Sequence, residues 1–286
     1  DGLWSLVARK LPRPPRKMDW QDAEPLNARS KPAMGELVLK VDKIRKQFGG
    51  LTAVNDISFD IHAGQIVGLI GPNGAGKSTT FNLITGVLSK TSGNVTYRGH
   101  DISALPSREI SRQGMARTFQ HVKMIPDMTV LENVALGAYT RGESGVISSM
   151  LGTNSAEEKR FMKEAQHQLA RIGMGNYLHE LAGNLAMGPQ RLMEIARALC
   201  CDPALLLLDE PAAGLRHKEK QDLIKVLRQL QSEGMSILLV EHDMDLVMEV
   251  CDKLVVMEFG TLLLEGTPKE IQESPVVRAA YLGTEH

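Results

Sequence analysis

The 286-residue sequence predicts an α/β fold, a largely parallel sheet covered by helices, and three observations carry that prediction. Two wholly apolar runs, Leu205-Leu206-Leu207-Leu208 and Ile237-Leu238-Leu239-Val240, flank an amphipathic stretch at roughly 217–233, the pattern of a βαβ unit. A third run, Ile66-Val67-Gly68-Leu69-Ile70, passes through a glycine-rich turn into a helical pattern beginning Thr80-Phe81-Asn82-Leu83-Ile84. Hydrophobic residues make up 43% of the chain and aromatics only 4%, so Leu, Ile, Val, Ala and Met must fill the core, as such a sheet requires.

Taken in order, residues 1–35 stand apart. They hold five of the thirteen prolines and include Arg9-Lys10-Leu11-Pro12-Arg13-Pro14-Pro15-Arg16-Lys17. Such a segment buries little and is expected to be mobile or extended. Its apolar start, Gly2-Leu3-Trp4-Ser5-Leu6-Val7-Ala8, fits a disordered tail or an arm docking at an anionic membrane interface. Folded sequence is expected from Glu36. Leu37, Leu39 and Val41 alternate with polar neighbours, Val54 to Ile61 gives a second strand, and Gly49-Gly50 marks the turn between them. A short strand is expected within Gly93–Gly99. From about 115 to 200 the pattern is helical, with Phe161, Ala165, Leu169 and Ile172 on one face and a Gly- and Ser-rich loop at 142–155. Leu254-Val255-Val256-Met257 and Leu262-Leu263-Leu264 close the sheet.

Composition excludes several classes. A net charge of −1 argues against a general nucleic-acid binder. No apolar run is long enough to span a bilayer. Cys200, Cys201 and Cys251 lack metal-like spacing and read as buried thiols of a reducing compartment. No secretory signal is evident, and a first residue of Asp reads as a cut, processed or engineered amino end.

The turn Gly71-Pro72-Asn73-Gly74-Ala75-Gly76-Lys77-Ser78-Thr79 fits the phosphate-loop pattern G-x-x-x-x-G-K-[ST] in its required strand–loop–helix setting. Its glycines allow backbone N–H groups to crowd around phosphate oxygens, and the helix start adds partial positive charge. Asn73 through Thr79 are the candidate nucleotide-binding residues, with Lys77 reaching the β- and γ-phosphates and Ser78 holding Mg²⁺. ATP and Mg²⁺ are the expected ligands. The strand Leu205–Leu208 runs into Asp209-Glu210-Pro211. Asp209 is the expected metal partner, and Glu210 is placed to orient or deprotonate water.

Three further peptides narrow the reading. Leu185-Ala186-Met187-Gly188-Pro189-Gln190-Arg191 precedes a helical stretch from Leu192 to Cys200, with Gly188 twenty-one positions before Asp209. Arg117-Thr118-Phe119-Gln120 and Glu241-His242-Asp243 complete an ordered set. With them, residues of about 36–286 resemble the ATP-binding cassette (ABC) ATPases. The resemblance implies a RecA-like P-loop NTPase core with an antiparallel β subdomain and an inserted helical subdomain near 115–195, ending in a tail of about 266–286. It also implies that Gly188 contacts the γ-phosphate of ATP held by a second subunit. Gln120 would sense the γ-phosphate and Mg²⁺, and His242 would contact the γ-phosphate. Phe48 would stack on adenine, with core packing as the rival reading, and Val54 joins the nucleotide-binding set. Lys77, Gln120, Glu210 and His242 form the implied catalytic group, and Ser78, Gln120 and Asp209 the implied metal group.

Phe48-Gly49-Gly50-Leu51, Arg117 to Val122, Pro211-Ala212-Ala213-Gly214-Leu215, Glu241-His242-Asp243-Met244 and the tail from Glu265 resemble the branched-chain amino-acid transporter ATPases in particular. That implies ATP-driven uptake of these or related small solutes through a transmembrane permease. The implied partners are a second ATPase subunit, identical or paralogous, and a solute-binding protein. The implied location is the cytoplasmic face of the inner membrane, peripheral or fused to a permease. The alternatives are a regulatory subunit with weak turnover and an export or non-transport ABC ATPase. Ala186 is usual in the subfamily. Pro189 for Gln, Leu192 for Arg and Arg216-His217 for Asn-Pro depart from it. Pro189 is tolerable as the first helical residue, but it removes an N–H aimed at phosphate, so slower hydrolysis is expected.

Overall fold

The structure, a computed structural model, describes residues 19–118, 123–142 and 155–282. In chain order, β1 (Leu37–Phe48), β2 (Leu51–His62) and β3 (Ile66–Ile70) lead to α1 (Lys77–Ile84). Then come β4 (Ser92–Tyr97), β5 (His100–Asp101), α2 (Ser107–Arg112) and β6 (Met115–Arg117). A helical section follows, with α3 (Val130–Ala135), α4 (Ser155–Arg171) and α5 (Met187–Leu199). The chain then returns to α/β alternation with β7 (Leu205–Asp209), α6 (His217–Ser232), β8 (Ser236–Val240) and α7 (Met244–Val250). It closes with β9 (Lys253–Glu258), β10 (Thr261–Gly266), α8 (Pro268–Glu273) and α9 (Pro275–Leu282).

Two sheets result. One is antiparallel, in the order β2-β1-β4-β5; the other runs β10-β9-β3-β8-β7-β6, parallel except for its β10 edge. Side-chain alternation explains why the central strands are apolar without interruption. Val67, Leu69, Leu205, Leu207, Leu238 and Val240 enter a core shared with the antiparallel sheet and with Phe81 and Ile84 of α1. Ile66, Ile70, Leu206, Leu208, Ile237 and Leu239 enter a second core shared with the helical section. Phe161, Ala165, Leu169 and Ile172 are buried in that second core, on the face their spacing predicts.

Two boundaries differ from expectation. Met115–Arg117 do not open the helical stretch; they form β6, parallel to β7. Three residues are too few to carry a period. Helix resumes at α3, where Thr129 and Glu132 form a reciprocal capping box. Helix α5 begins at Met187 rather than Leu192. Its first turn contains Gly188 and Pro189, two weak helix formers that hide the start.

The extended segment before β1 is tied down. Trp20 Nε1 donates to Gln166 Oε1 (3.0 Å), Lys163 Nζ to the Ala23 carbonyl (2.6 Å), and Arg141 Nη2 to the Asn27 carbonyl (2.8 Å). Further on, the Arg29 N–H and Lys31 Nζ both bond the Asp202 carboxylate, just before β7. The segment therefore passes from the helical section to the start of β7. The expected docking arm at 1–18 lies outside the described residues. The three cysteines are buried and free, and burial pushes the Cys251 thiol up to about 12.

Candidate functional site

The glycine-rich turn joins β3 to α1. Gly71, Gly74 and Gly76 all have positive φ (148°, 82° and 97°). A Cβ on Gly71 would lie 2.1 Å from the Met257 carbonyl oxygen, and one on Gly76 would lie 2.5 Å from the Ala53 carbonyl oxygen. Packing against β9 and β2 thus fixes both glycines whether or not phosphate is bound. Around Gly74 there is open space. Asn73, Gly74 and Ser78 are exposed, and Ala75 is buried. Gly76 is the N-cap of α1 and brings no capping side chain, so the first-turn N–H groups face the turn. Lys77 is buried and bonds the carbonyls of Gly71 (2.7 Å) and Pro72 (2.9 Å). Burial holds its ammonium below the usual lysine range, and the nearby Glu210 charge opposes that.

Asp209 ends β7 and Glu210 follows in a left-handed conformation, φ 49°, secured by its N–H to the Val240 carbonyl (2.8 Å). Glu210 Oε1 lies 3.0 Å from His242 Nε2. Asn73 to Thr79, Glu210 and His242 line one cleft, together with Leu51 to Ala53 of β2 and the turn Phe259-Gly260.

Two charged residues tie these elements together, and the sequence reading missed both. Arg117, at the end of β6, pairs with Asp209 Oδ2 (2.9 Å), donates to Asn82 Oδ1 (2.6 Å) and lies 4.8 Å over the Phe81 ring. It joins the Asp209 carboxylate to α1. Glu241 is buried; it accepts from the Ala212 N–H (2.6 Å) and from the N–H groups of His242 (2.8 Å) and Asp243 (3.1 Å). It sets the loop carrying His242 against the loop after Glu210. An acid at the end of an apolar strand was the available signal, since a buried carboxylate must be bonded.

Other expected residues lie elsewhere. Gly188 is buried on a separate groove with Pro189, Leu215 and Glu219, away from the phosphate loop of its own chain. A Cβ there would meet Glu219 Oε1 at 2.8 Å. Pro189 is the third residue of α5, not the first. The first N–H with an intrahelical partner is that of Gln190, to Ala186 (3.0 Å), so the proline still breaks no bond. Arg216 is the N-cap of α6, where an arginine has no acceptor to offer. Glu219 supplies only the reciprocal bond, to the Arg216 N–H (2.8 Å). Val54 is a correction. Its side chain is fully buried in the core, and Leu51, Thr52 and Ala53 line the cleft in its place. Phe48 is half-exposed at the end of β1, with Lys46 Nζ 5.0 Å from its ring centre. Gln120 lies outside the described residues.

The donor set fits Mg·ATP: a loop whose backbone packing demands glycine, an uncapped helix start, one lysine, and a hydroxyl and a carboxylate for a hard cation. Fold and cleft together define a nucleotide-hydrolysing cassette. Comparison with known proteins gives the particular family. Residues 54–213 match the ABC transporter family, and residues 261–286 match the branched-chain amino acid ATP-binding cassette transporter family. The chain belongs to the ABC transporter family. It is 42% identical to the high-affinity branched-chain amino acid transport ATP-binding protein LivG of Salmonella typhimurium, a match spanning 87% of this chain and 99% of LivG. It is 40% identical to BraF of Pseudomonas aeruginosa, described in the same terms, with the same coverage. Among solved structures, the ADP conformation of an ATP-binding cassette of an ABC transporter superposes with TM-score 0.78 at 33% identity, covering 86% of this chain and 99% of that one. A nucleotide-free cassette superposes at 0.77 with 32% identity, covering 86% and 98%.

Proposed function

We propose that this chain is the ATP-hydrolysing subunit of a transporter that takes up branched-chain amino acids or related small solutes through a membrane permease. The 42% identity to LivG over almost the whole of that protein carries the reading. The cleft supplies the means. Backbone N–H groups of residues 74–79 and the Lys77 ammonium would bind the phosphates, with Ser78 and Asp209 holding Mg²⁺, which neutralises phosphate charge. Glu210, bonded to His242, would orient water and take its proton. Arg117 keeps the Asp209 carboxylate in place. By the family resemblance, Gln120 would complete the metal and γ-phosphate contacts.

A second ATPase subunit, identical or paralogous, would present its Gly188 to this cleft, which the separate groove of Gly188 supports. No described helix is long and apolar enough to cross a membrane; the likeness to LivG supports attachment at the cytoplasmic face through the permease, peripheral or fused to it. A permease and a solute-binding protein would choose the solute. Pro189 and Arg216 favour a second reading, a regulatory subunit with weak turnover. Co-purification with the membrane partner, followed by ATPase assays with leucine, isoleucine, valine, amides and urea, separates the two. Stimulation by a branched-chain amino acid is the expected result. No turnover under any condition favours the regulatory reading.

A further inference from the structure

The segment before β1 roofs a cavity that the nucleotide cleft does not use. This cavity, of about 440 Å³, lies between residues 25–31, helix α4, and the turns at 202–204 and 233–235 that lead into β7 and β8. The match to LivG spans 99% of that protein but only 87% of this chain, and the family match at the carboxyl end reaches residue 286, which puts the roof outside the part shared with LivG. The cavity is therefore closed by a segment that this chain adds to the cassette.

Its charges do not balance. Asp202 pairs with Lys31 (2.5 Å), Glu164 with Arg141 (3.2 Å) and Glu233 with Arg171 (2.6 Å), so each carboxylate lining the cavity has one cation. Lys163 is left over. Its ammonium donates to the carbonyls of Gln21 (3.2 Å) and Ala23 (2.6 Å), and no carboxylate pairs with it among the described residues. An ammonium has three N–H donors, and these bonds use two. His167 and Arg171 follow Lys163 at four-residue steps along α4, so nitrogen groups line one face of the helix towards the cavity. The opposite lining is apolar, with Leu26 in the roof and the buried Ala204 and Met235 in the floor. One surplus cation beside an apolar floor calls for a ligand with a single negative charge and an apolar body.

We propose that this cavity binds a small monocarboxylate with an apolar body, its carboxylate on Lys163 and its hydrocarbon against Leu26, Ala204 and Met235. The inference is independent of the nucleotide-site reading. Equilibrium binding to the full chain tests it, with isovalerate, the neutral isovaleramide, acetate and inorganic phosphate as probes. Isovalerate should bind saturably. Isovaleramide, which lacks the charge, and acetate, which lacks most of the apolar body, should each bind about tenfold or more weaker. Lys163→Gln keeps N–H donors for the roof carbonyls but loses the charge, and should weaken isovalerate about tenfold or more. Lys163→Arg keeps the charge and should retain most of the affinity. No saturable isovalerate binding, equal binding of the amide, tighter binding of phosphate, or unchanged affinity in Lys163→Gln overturns the proposal. A loss in Lys163→Arg as large as that in Lys163→Gln also overturns it, because the damage would then be to the roof. The comparison of isovalerate with its amide needs no variant, so it decides the matter even if Lys163→Gln does not fold.

Discussion

The two surfaces expected to meet across a shared ATP differ in how they are held. On the phosphate-loop side, Gly71 and Gly76 are fixed by backbone contacts with β9 and β2, and Glu210 by a strand-to-strand bond. Each fixed position there matches the motif. On the Gly188 side, Gly188 is buried near the start of α5 against the Glu219 side chain, and Pro189, Leu192 and Arg216 are the residues that the resemblance does not lead one to expect. The fold itself enforces the first surface. On the second, Gly188 meets the Glu219 side chain rather than backbone.

Variants can break or sharpen that contrast. The largest effect should come from Glu210→Gln, which is expected to bind ATP and trap a dimer while turnover falls by about 100-fold or more. Wild-type turnover would remove Glu210 from the mechanism. Next is Pro189→Gln on the opposite surface. A restored contact to charge is worth on the order of 1.5–3 kcal/mol, so hydrolysis should rise about tenfold or more. An unmoved steady-state rate would show that this surface tolerates proline without cost. Arg216→Asn gives α6 an N-cap acceptor and should add about 1 kcal/mol to stability in denaturant melts. A loss would mean that Arg216 has a role the cap does not explain.

The smallest effect concerns Asp243, the N-cap of α7. Burial raises its carboxyl, but Lys220 and the Leu246 N–H outweigh this and hold it below the ordinary value. Because the folded value is depressed, the stabilisation is complete above pH ~4 and disappears as pH falls through the lower folded value. Melts of Asp243→Asn against wild type from pH 2 to 7 should differ by less than about 1 kcal/mol, the ordinary size of a partly exposed pair, and converge in acid.

Most of the fold was readable because β3, β7 and β8 are buried on both faces and so are written as unbroken apolar runs. β6 was not readable, since Met115–Arg117 are three residues with a charged end. The phosphate-loop motif and the strand-ending acids Asp209 and Glu210 stood out by residue type and spacing, His242 only through the resemblance, and the loop, Glu210 and His242 line one cleft. Arg117 and Glu241 were not, because charges read as surface until the structure shows what they bond. Val54 misled because it lies just past the stretch of β2 that lines the cleft, where the strand enters the core.

The order β9-β3-β8 also sets a schedule. Ile66 of β3 pairs with Ile237, and Ile70 with Val256. A chain leaving the ribosome amino end first exposes the phosphate loop long before either neighbour has been made. The Met257 carbonyl against which Gly71 packs comes later still. A nascent chain halted before β9 would carry the complete loop motif and its β8 neighbour but not the Met257 carbonyl against which Gly71 packs, so competence to bind nucleotide arrives only when synthesis is nearly finished.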